Sequence, residues 1–194
     1  MVVMRYDGIL SLSLLLVVAC AACSAGEPAP DASHSPAPAA NASEATLLPT
    51  DTKALPDTTP DEFDALLSQL HGTPVVVNFW GSWCTPCREE MPRLAEAAQT
   101  YGDRIQFLGV DVLDTKEAGR RFIDEFGVPF PSVFDPSPNG SIRNHLGYLG
   151  QPVTVFYDDE GKKVADWEGA IPQEELDAGL KALTQAPDPS GASV

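Results

Sequence analysis

The run Pro74-Val75-Val76-Val77-Asn78-Phe79, followed within five residues by Cys84-Thr85-Pro86-Cys87, constrains this chain more than any other feature. A short stretch of β-branched and aromatic residues without polar alternation is the pattern of a strand buried on both faces. Such a strand sits in the middle of a sheet and needs helices on either side. From about Cys84 to Tyr101 the sequence follows a helical pattern, with Pro92 inside it as a point of bending, and Ile105 to Val110 forms a second buried strand. A helical crossover between two buried strands makes them parallel. The fold class this predicts is α/β, a central mixed β-sheet flanked by helices on both faces.

The remaining elements fit that class. Thr59-Pro60-Asp61-Glu62 gives a capping box with proline at the first helical position, and Phe63, Leu66, Leu67 and Leu70 form one apolar side, until Gly72 stops the helix. Asp114, with Glu117 three places on, is expected to cap a helix whose Ala118, Phe122 and Phe126 face the core and which ends at Gly127. Phe130 to Phe134 and a short helix near 137–146 come next. Val153 to Tyr157 and Lys163 to Trp167 flank the turn Asp158-Asp159-Glu160-Gly161 and predict an antiparallel hairpin. A last helix from Pro172 to about Leu183 points Leu176, Leu180 and Leu183 inward.

Two cysteines separated by two residues can close a small disulfide ring, and where they open a helix the first thiol lies beside unsatisfied backbone N–H groups that favour its thiolate. The thiolate is the species that attacks a disulfide. Cys84 is therefore the candidate nucleophile, and Cys87, one turn deeper, the residue that resolves the mixed disulfide. Pro86 removes a backbone donor and stiffens the ring. The pair follows a strand directly, at the carboxyl end where open α/β sheets place their sites. A structural zinc site would need a second cysteine pair or histidines, and the other close pair, Cys20 and Cys23, lies in the leader region; no metal is expected. Covalent haem would need histidine after Cys87, where Arg88 stands, so no cofactor is expected either. A purely structural disulfide remains open, although so small a ring constrains little chain. His71 and His145 show no ligand spacing.

Ahead of the domain, Arg5 precedes an apolar stretch from Ile9 to Ala19 that is too short for a membrane span and reads as an export signal over residues 1–19. Val17-Val18-Ala19-Cys20 resembles the bacterial lipobox, which would make Cys20 the lipidated N-terminus and the membrane the first partner, with Cys23 as the alternative site. From Ser24 to Pro49, Ala, Pro and Ser dominate and Lys and Arg are absent, so residues 20–54 read as attachment site and disordered linker. About 26 linker residues would hold a domain roughly 25 to 30 Å from its anchor. The domain is expected over residues 55–184 and a frayed tail over 185–194. The formal net charge of −16 at pH 7 excludes the basic footprint that nucleic acid requires.

Asn78-Phe79-Trp80-Gly81-Ser82-Trp83-Cys84-Thr85-Pro86-Cys87-Arg88-Glu89-Glu90-Met91-Pro92 resembles the active-site signature of the TlpA/ResA family of extracytoplasmic thioredoxin-like proteins. The resemblance extends from about residue 55 to 184 and includes Gly150-Gln151-Pro152-Val153-Thr154, similar to the family's cis-proline segment. It implies a thioredoxin-like fold, a cis Gln151-Pro152 bond and a thiol-disulfide oxidoreductase. Trp80, Trp83, Thr85, Pro86, Gln151 and Pro152 would then wall the site and contact partners, with core packing the other reading for Trp80. Cytosolic thioredoxins carry a buried aspartate at the place of Asn78, and the family pattern offers Glu90 instead as proton acceptor; a solvated helix carboxylate is the other reading of Glu90.

The resemblance implies as partners cysteine-containing exported proteins, apocytochrome c among them, and a membrane thiol donor or acceptor. A reductase, an oxidant that installs disulfides and a redox-inert binding module are not separated by motif letters. A peroxidase, whose attacking cysteine belongs in a Thr-bearing context, is the weaker enzyme reading, since the domain holds no separate resolving cysteine.

Overall fold

The computed structural model describes residues 46–185. The signal segment, Cys20, Cys23, most of the linker and the C-terminal tail lie outside them. The elements are α1 (Pro60–Gln69), β1 (Val75–Trp80), α2 (Thr85–Tyr101), β2 (Gln106–Val112), α3 (Lys116–Phe126), β3 (Ser132–Asp135), α4 (Ser141–His145), β4 (Val153–Tyr157), β5 (Lys163–Glu168) and α5 (Gln173–Thr184). They form one five-stranded sheet in the order β3-β2-β1-β4-β5. The valine-rich strand β1 is central and wholly buried, parallel to β2 and antiparallel to β4. β4 and β5 make the expected antiparallel hairpin.

Alternate residues of the same strands feed two separate cores. Val75, Val77, Phe79, Leu108, Val110, Val153 and Val155 pack beneath Phe63 and Leu66 of α1 and Ile142 of α4. Val76, Trp80, Phe107 and Phe156 pack beneath α2, α3 and α5, through Met91, Leu94, Phe122, Leu176 and Leu180. Cys84 and Cys87 belong to this second core, so the redox pair is built into the face covered by α2.

α1 starts with the predicted box: Glu62 N–H donates to Thr59 Oγ1 at 3.3 Å, and Thr59 N–H donates to Glu62 Oε2 at 2.8 Å. The cap of α3 is not Asp114. Thr115 takes that place, its backbone extended and its hydroxyl accepting from Ala118 N–H at 3.2 Å, while Glu117 turns outward to Arg121. Asp114 is engaged elsewhere, as described below. The folded part also begins upstream of Leu55. Leu48 packs against the α1 core, Leu47 N–H donates to Gln69 Oε1 at 2.9 Å, and Arg120 donates to the carbonyls of Lys53 and Ala54. Two adjacent leucines closing an Ala/Pro/Ser stretch are enough to pin its last residues to an apolar helix face.

Candidate active site

β1 delivers the chain to the top of the sheet, and the residue after a short turn, Cys84, becomes the N-cap of α2. Its sulfur accepts from Cys87 N–H at 3.3 Å, so the first open end of the helix is satisfied by the candidate nucleophile itself. The same two residues are joined in a disulfide, with S–S 2.06 Å and Cα–Cα 5.2 Å. Cys84 retains 4% exposure and Cys87 none. An incoming sulfur therefore meets Cys84 and cannot reach Cys87. A thiolate formed on Cys84 would sit against the positive end of a 17-residue helix, which stabilises it.

One helical turn below Cys87 stands Glu90, fully buried. Residues three apart on a helix have Cβ atoms about 5–6 Å apart, so Glu90 leaves α2 on the same face as the resolving cysteine. Its Oε1 accepts from Asn78 Nδ2 at 2.7 Å and its Oε2 from Ile171 N–H at 2.8 Å. Asn78 Nδ2 also donates to Thr154 Oγ1 at 3.2 Å, which ties the carboxyl to the strand after Pro152. Burial raises the Glu90 pKa to about 7, against smaller opposing effects of Ile171, Asn78 and Arg93. A carboxyl titrating near neutrality beside a thiol can take up or return the proton that disulfide exchange moves.

The Gln151-Pro152 peptide is cis. The carbonyl oxygen of Gln151 lies 3.9 Å from Cys84 Sγ, an acceptor waiting for the thiol once the disulfide is opened. Thr85 and Pro86 are exposed, Gln151 is half-buried and Pro152 is buried. Trp83 is 58% exposed, with its indole N–H donating to Leu113 O at 2.9 Å. Trp80 does not join this surface. It is fully buried and stacks on Phe122 with ring centroids 4.6 Å apart, so the expectation that it contacts partners is corrected: it shares the core face of β1 with Val76 and Asn78 and supports the site from beneath. Glu89 is exposed while Glu90 is buried.

Three neighbours escaped the sequence reading. Leu149, two residues before Gln151, is 86% exposed, an apolar side chain beside the cis-proline segment in the loop Gly147-Tyr148-Leu149-Gly150. Arg143 of α4 is buried and donates to the Gln151 side chain and to Asn139 O, and only tertiary contact reveals it. Asp111, at the end of β2, is also buried. Among the described residues no group of three or more His, Cys, Asp or Glu side chains is placed to hold a metal ion.

Residues 51–165, more than half of the chain, match the AhpC/TSA family. The thiol-disulfide oxidoreductase ResA of Bacillus thuringiensis subsp. konkukian is 30% identical over 119 residues, 61% of this chain and 68% of that protein. Among solved structures, a secreted Mycobacterium tuberculosis disulfide oxidoreductase homologous to E. coli DsbE superposes with a TM-score of 0.54 at 28% identity, covering 60% of this chain and 86% of the other. MTB dsbF, determined in mixed oxidized and reduced forms, gives 0.54 at 30% identity over 60% and 85% of the two chains. A mixed sheet flanked by helices, a Cys-x-x-Cys pair opening α2 and these relatives converge: the chain belongs to the AhpC/TSA family, as a thioredoxin-fold thiol-disulfide oxidoreductase of the ResA/DsbE type.

Proposed function

We propose that this oxidoreductase works outside the cytoplasm, tethered through a lipid on Cys20, and reduces disulfides in exported proteins, c-type cytochrome precursors before haem attachment among them. The observation that carries the reading is the Cys84–Cys87 disulfide at the start of α2 with a buried carboxyl, Glu90, on the next turn of the same helix, whose pKa is raised to about 7. In the reducing direction the Cys84 thiolate attacks a client disulfide and forms a mixed disulfide, expelling one client thiolate, which takes up a proton. Glu90 then accepts the Cys87 proton, and the Cys87 sulfur attacks Cys84 Sγ. The second client thiolate leaves, two electrons have passed to the client, and the enzyme pair is oxidised. A membrane thiol donor restores it. Trp83, Thr85, Pro86 and Leu149 offer the client an apolar rim, and the backbone before Pro152 offers it an extended chain to pair with.

The reduction potential of the Cys84/Cys87 couple, read from tryptophan fluorescence in dithiothreitol buffers, tests the direction. A value near or below about −250 mV is expected; one between about −120 and −180 mV would make the protein a disulfide-forming oxidant instead. The tether is tested separately: globomycin-sensitive processing that is lost in Cys20→Ser is expected, and processing lost only in Cys23→Ser would move the lipid there. A Cys87→Ser variant should accumulate mixed disulfides with clients through Cys84. Capture of no disulfide-linked protein, together with an inert pair in reduction assays, would favour a redox-inert binding module.

A further inference from the structure

Asp111 is a second buried carboxyl on the redox face, and the exchange chemistry leaves it without a task. It is the last residue but one of β2, opposite Trp80 of β1, is 0% exposed, and no protein donor reaches either of its oxygens. α3 closes over it at Gly119, where a Cβ would stand 2.1 Å from Asp111 Oδ2 and 3.1 Å from Leu55 Cδ1. An ionised carboxylate in such a place has lost its water without gaining a partner. The polar group that faces it is another acceptor, the carboxylate of Asp114. Two carboxyl groups bond to each other only by sharing a proton. The cations of the adjoining helices are turned to other partners: Arg88 to Ser82 O and Glu125, Lys116 to Asp57, Arg120 to Lys53 O, Arg121 to Glu117. On β3, Asp135 serves Ile142 N–H of α4.

Asp114 in turn holds the loop that carries the nucleophile. Its Oδ2 accepts from Ser82 N–H at 2.6 Å and its Oδ1 from Thr115 N–H at 2.7 Å. The preceding residue, Leu113, adopts the left-handed region at φ 55° and presents its carbonyl to the Trp83 indole. A Cβ on Gly81 would meet Val112 O at 3.1 Å. Residues 112–115 are thus fitted against residues 81–83, immediately before Cys84.

We propose that Asp111 is a positioning residue for the redox site: its carboxyl keeps a proton and donates it to Asp114, and the pair fixes the loop that brings Cys84 to the start of α2. The proposal rests on the reading of Cys84 as the attacking sulfur. Burial first, then the Asp114 carboxylate, raise the Asp111 pKa to about 9, consistent with a proton retained at neutral pH.

The test is a pH titration of the oxidised protein followed at the Trp83 indole N–H resonance, assigned by its loss in Trp83→Phe. In wild type the resonance should move in one transition centred about pH 9. In Asp111→Asn, whose amide donates to Asp114 at every pH, it should keep its neutral-pH position and show no such transition. As a second readout, the ratio of wild-type to Asp111→Asn exchange rates should stay near one at neutral pH and fall severalfold above the transition. An unmoved wild-type resonance, equal movement in both proteins, or a resonance already displaced in Asp111→Asn at neutral pH would overturn the proposal. Because the titration is read on the oxidised protein, a failure of Cys84 to form mixed disulfides would leave its outcome unchanged, and the two readings fail separately.

Discussion

The two faces of the central strands carry different kinds of residue, although they alternate along the same backbone. Toward α1 and α4, β1, β2 and β4 present Val75, Val77, Phe79, Leu108, Val110, Val112, Val153 and Val155, an apolar layer with no polar side chain among these strand positions. Toward α2, α3 and α5 the same strands present Asn78, Trp80, Asp111 and Thr154, joined by Glu90 from α2 and Ser132 from β3. Several atoms of this second set, among them Asn78 Oδ1, Trp80 Nε1 and Ser132 Oγ, find no hydrogen-bond partner within the protein. Buried polar groups left in this state are destabilising by about 1–3 kcal/mol each. Both faces supply cohesion, but the second gives up part of it for polar groups that can hold and move protons near a disulfide.

The comparison can be broken from either side. The largest effect is expected on the polar face, where Cys84→Ser should abolish dithiol exchange, measured as client or dithiothreitol turnover, with little change in melting temperature. On the apolar face, Leu108→Ala should lower stability by about 2–5 kcal/mol in urea unfolding while leaving the reduction potential unchanged. A potential that shifted with Leu108 would show that the faces are not independent. Trp83→Ala, removing an exposed rim side chain and its bond to Leu113, should slow exchange with a protein client about fivefold, the equivalent of roughly 1 kcal/mol, with less effect on dithiothreitol. The smallest effect belongs to Thr59→Ala, which removes the cap of a helix on the apolar side and should reduce stability by about 1 kcal/mol without altering any redox property.

What could be read from the chain follows the same division. β1, the cysteine pair at the start of α2, the α1 capping box and the β4–β5 hairpin are local patterns, carried by residues within a few positions of each other. The state of Glu90 is not local: it depends on Ile171, 81 residues away, and on Asn78, which the strand places beneath α2. Asp111 sits in a strand as one polar residue between valines, and only the approach of Gly119 shows that it is sealed. Trp80 and Trp83 look alike in the signature, yet strand geometry puts the first in the core and the following turn puts the second on the rim. The cap of α3 moved by one residue because aspartate and threonine stand side by side, and Asp114 bonds the active-site loop instead.

The claim that the polar face manages the protons of exchange is tested most directly by the pH dependence of mixed-disulfide resolution in wild type and Glu90→Gln. Burial holds the Glu90 pKa at about 7, above the 4.5 of an unburied carboxyl. The stability this group contributes is therefore complete below about pH 4.5 and lost as pH rises through about 7, while its capacity as a proton acceptor grows over the same interval. The account predicts a wild-type rate with an inflection near 7, absent in Glu90→Gln, whose resolution should be about a hundredfold slower on the alkaline side. An identical profile in the two proteins would contradict it.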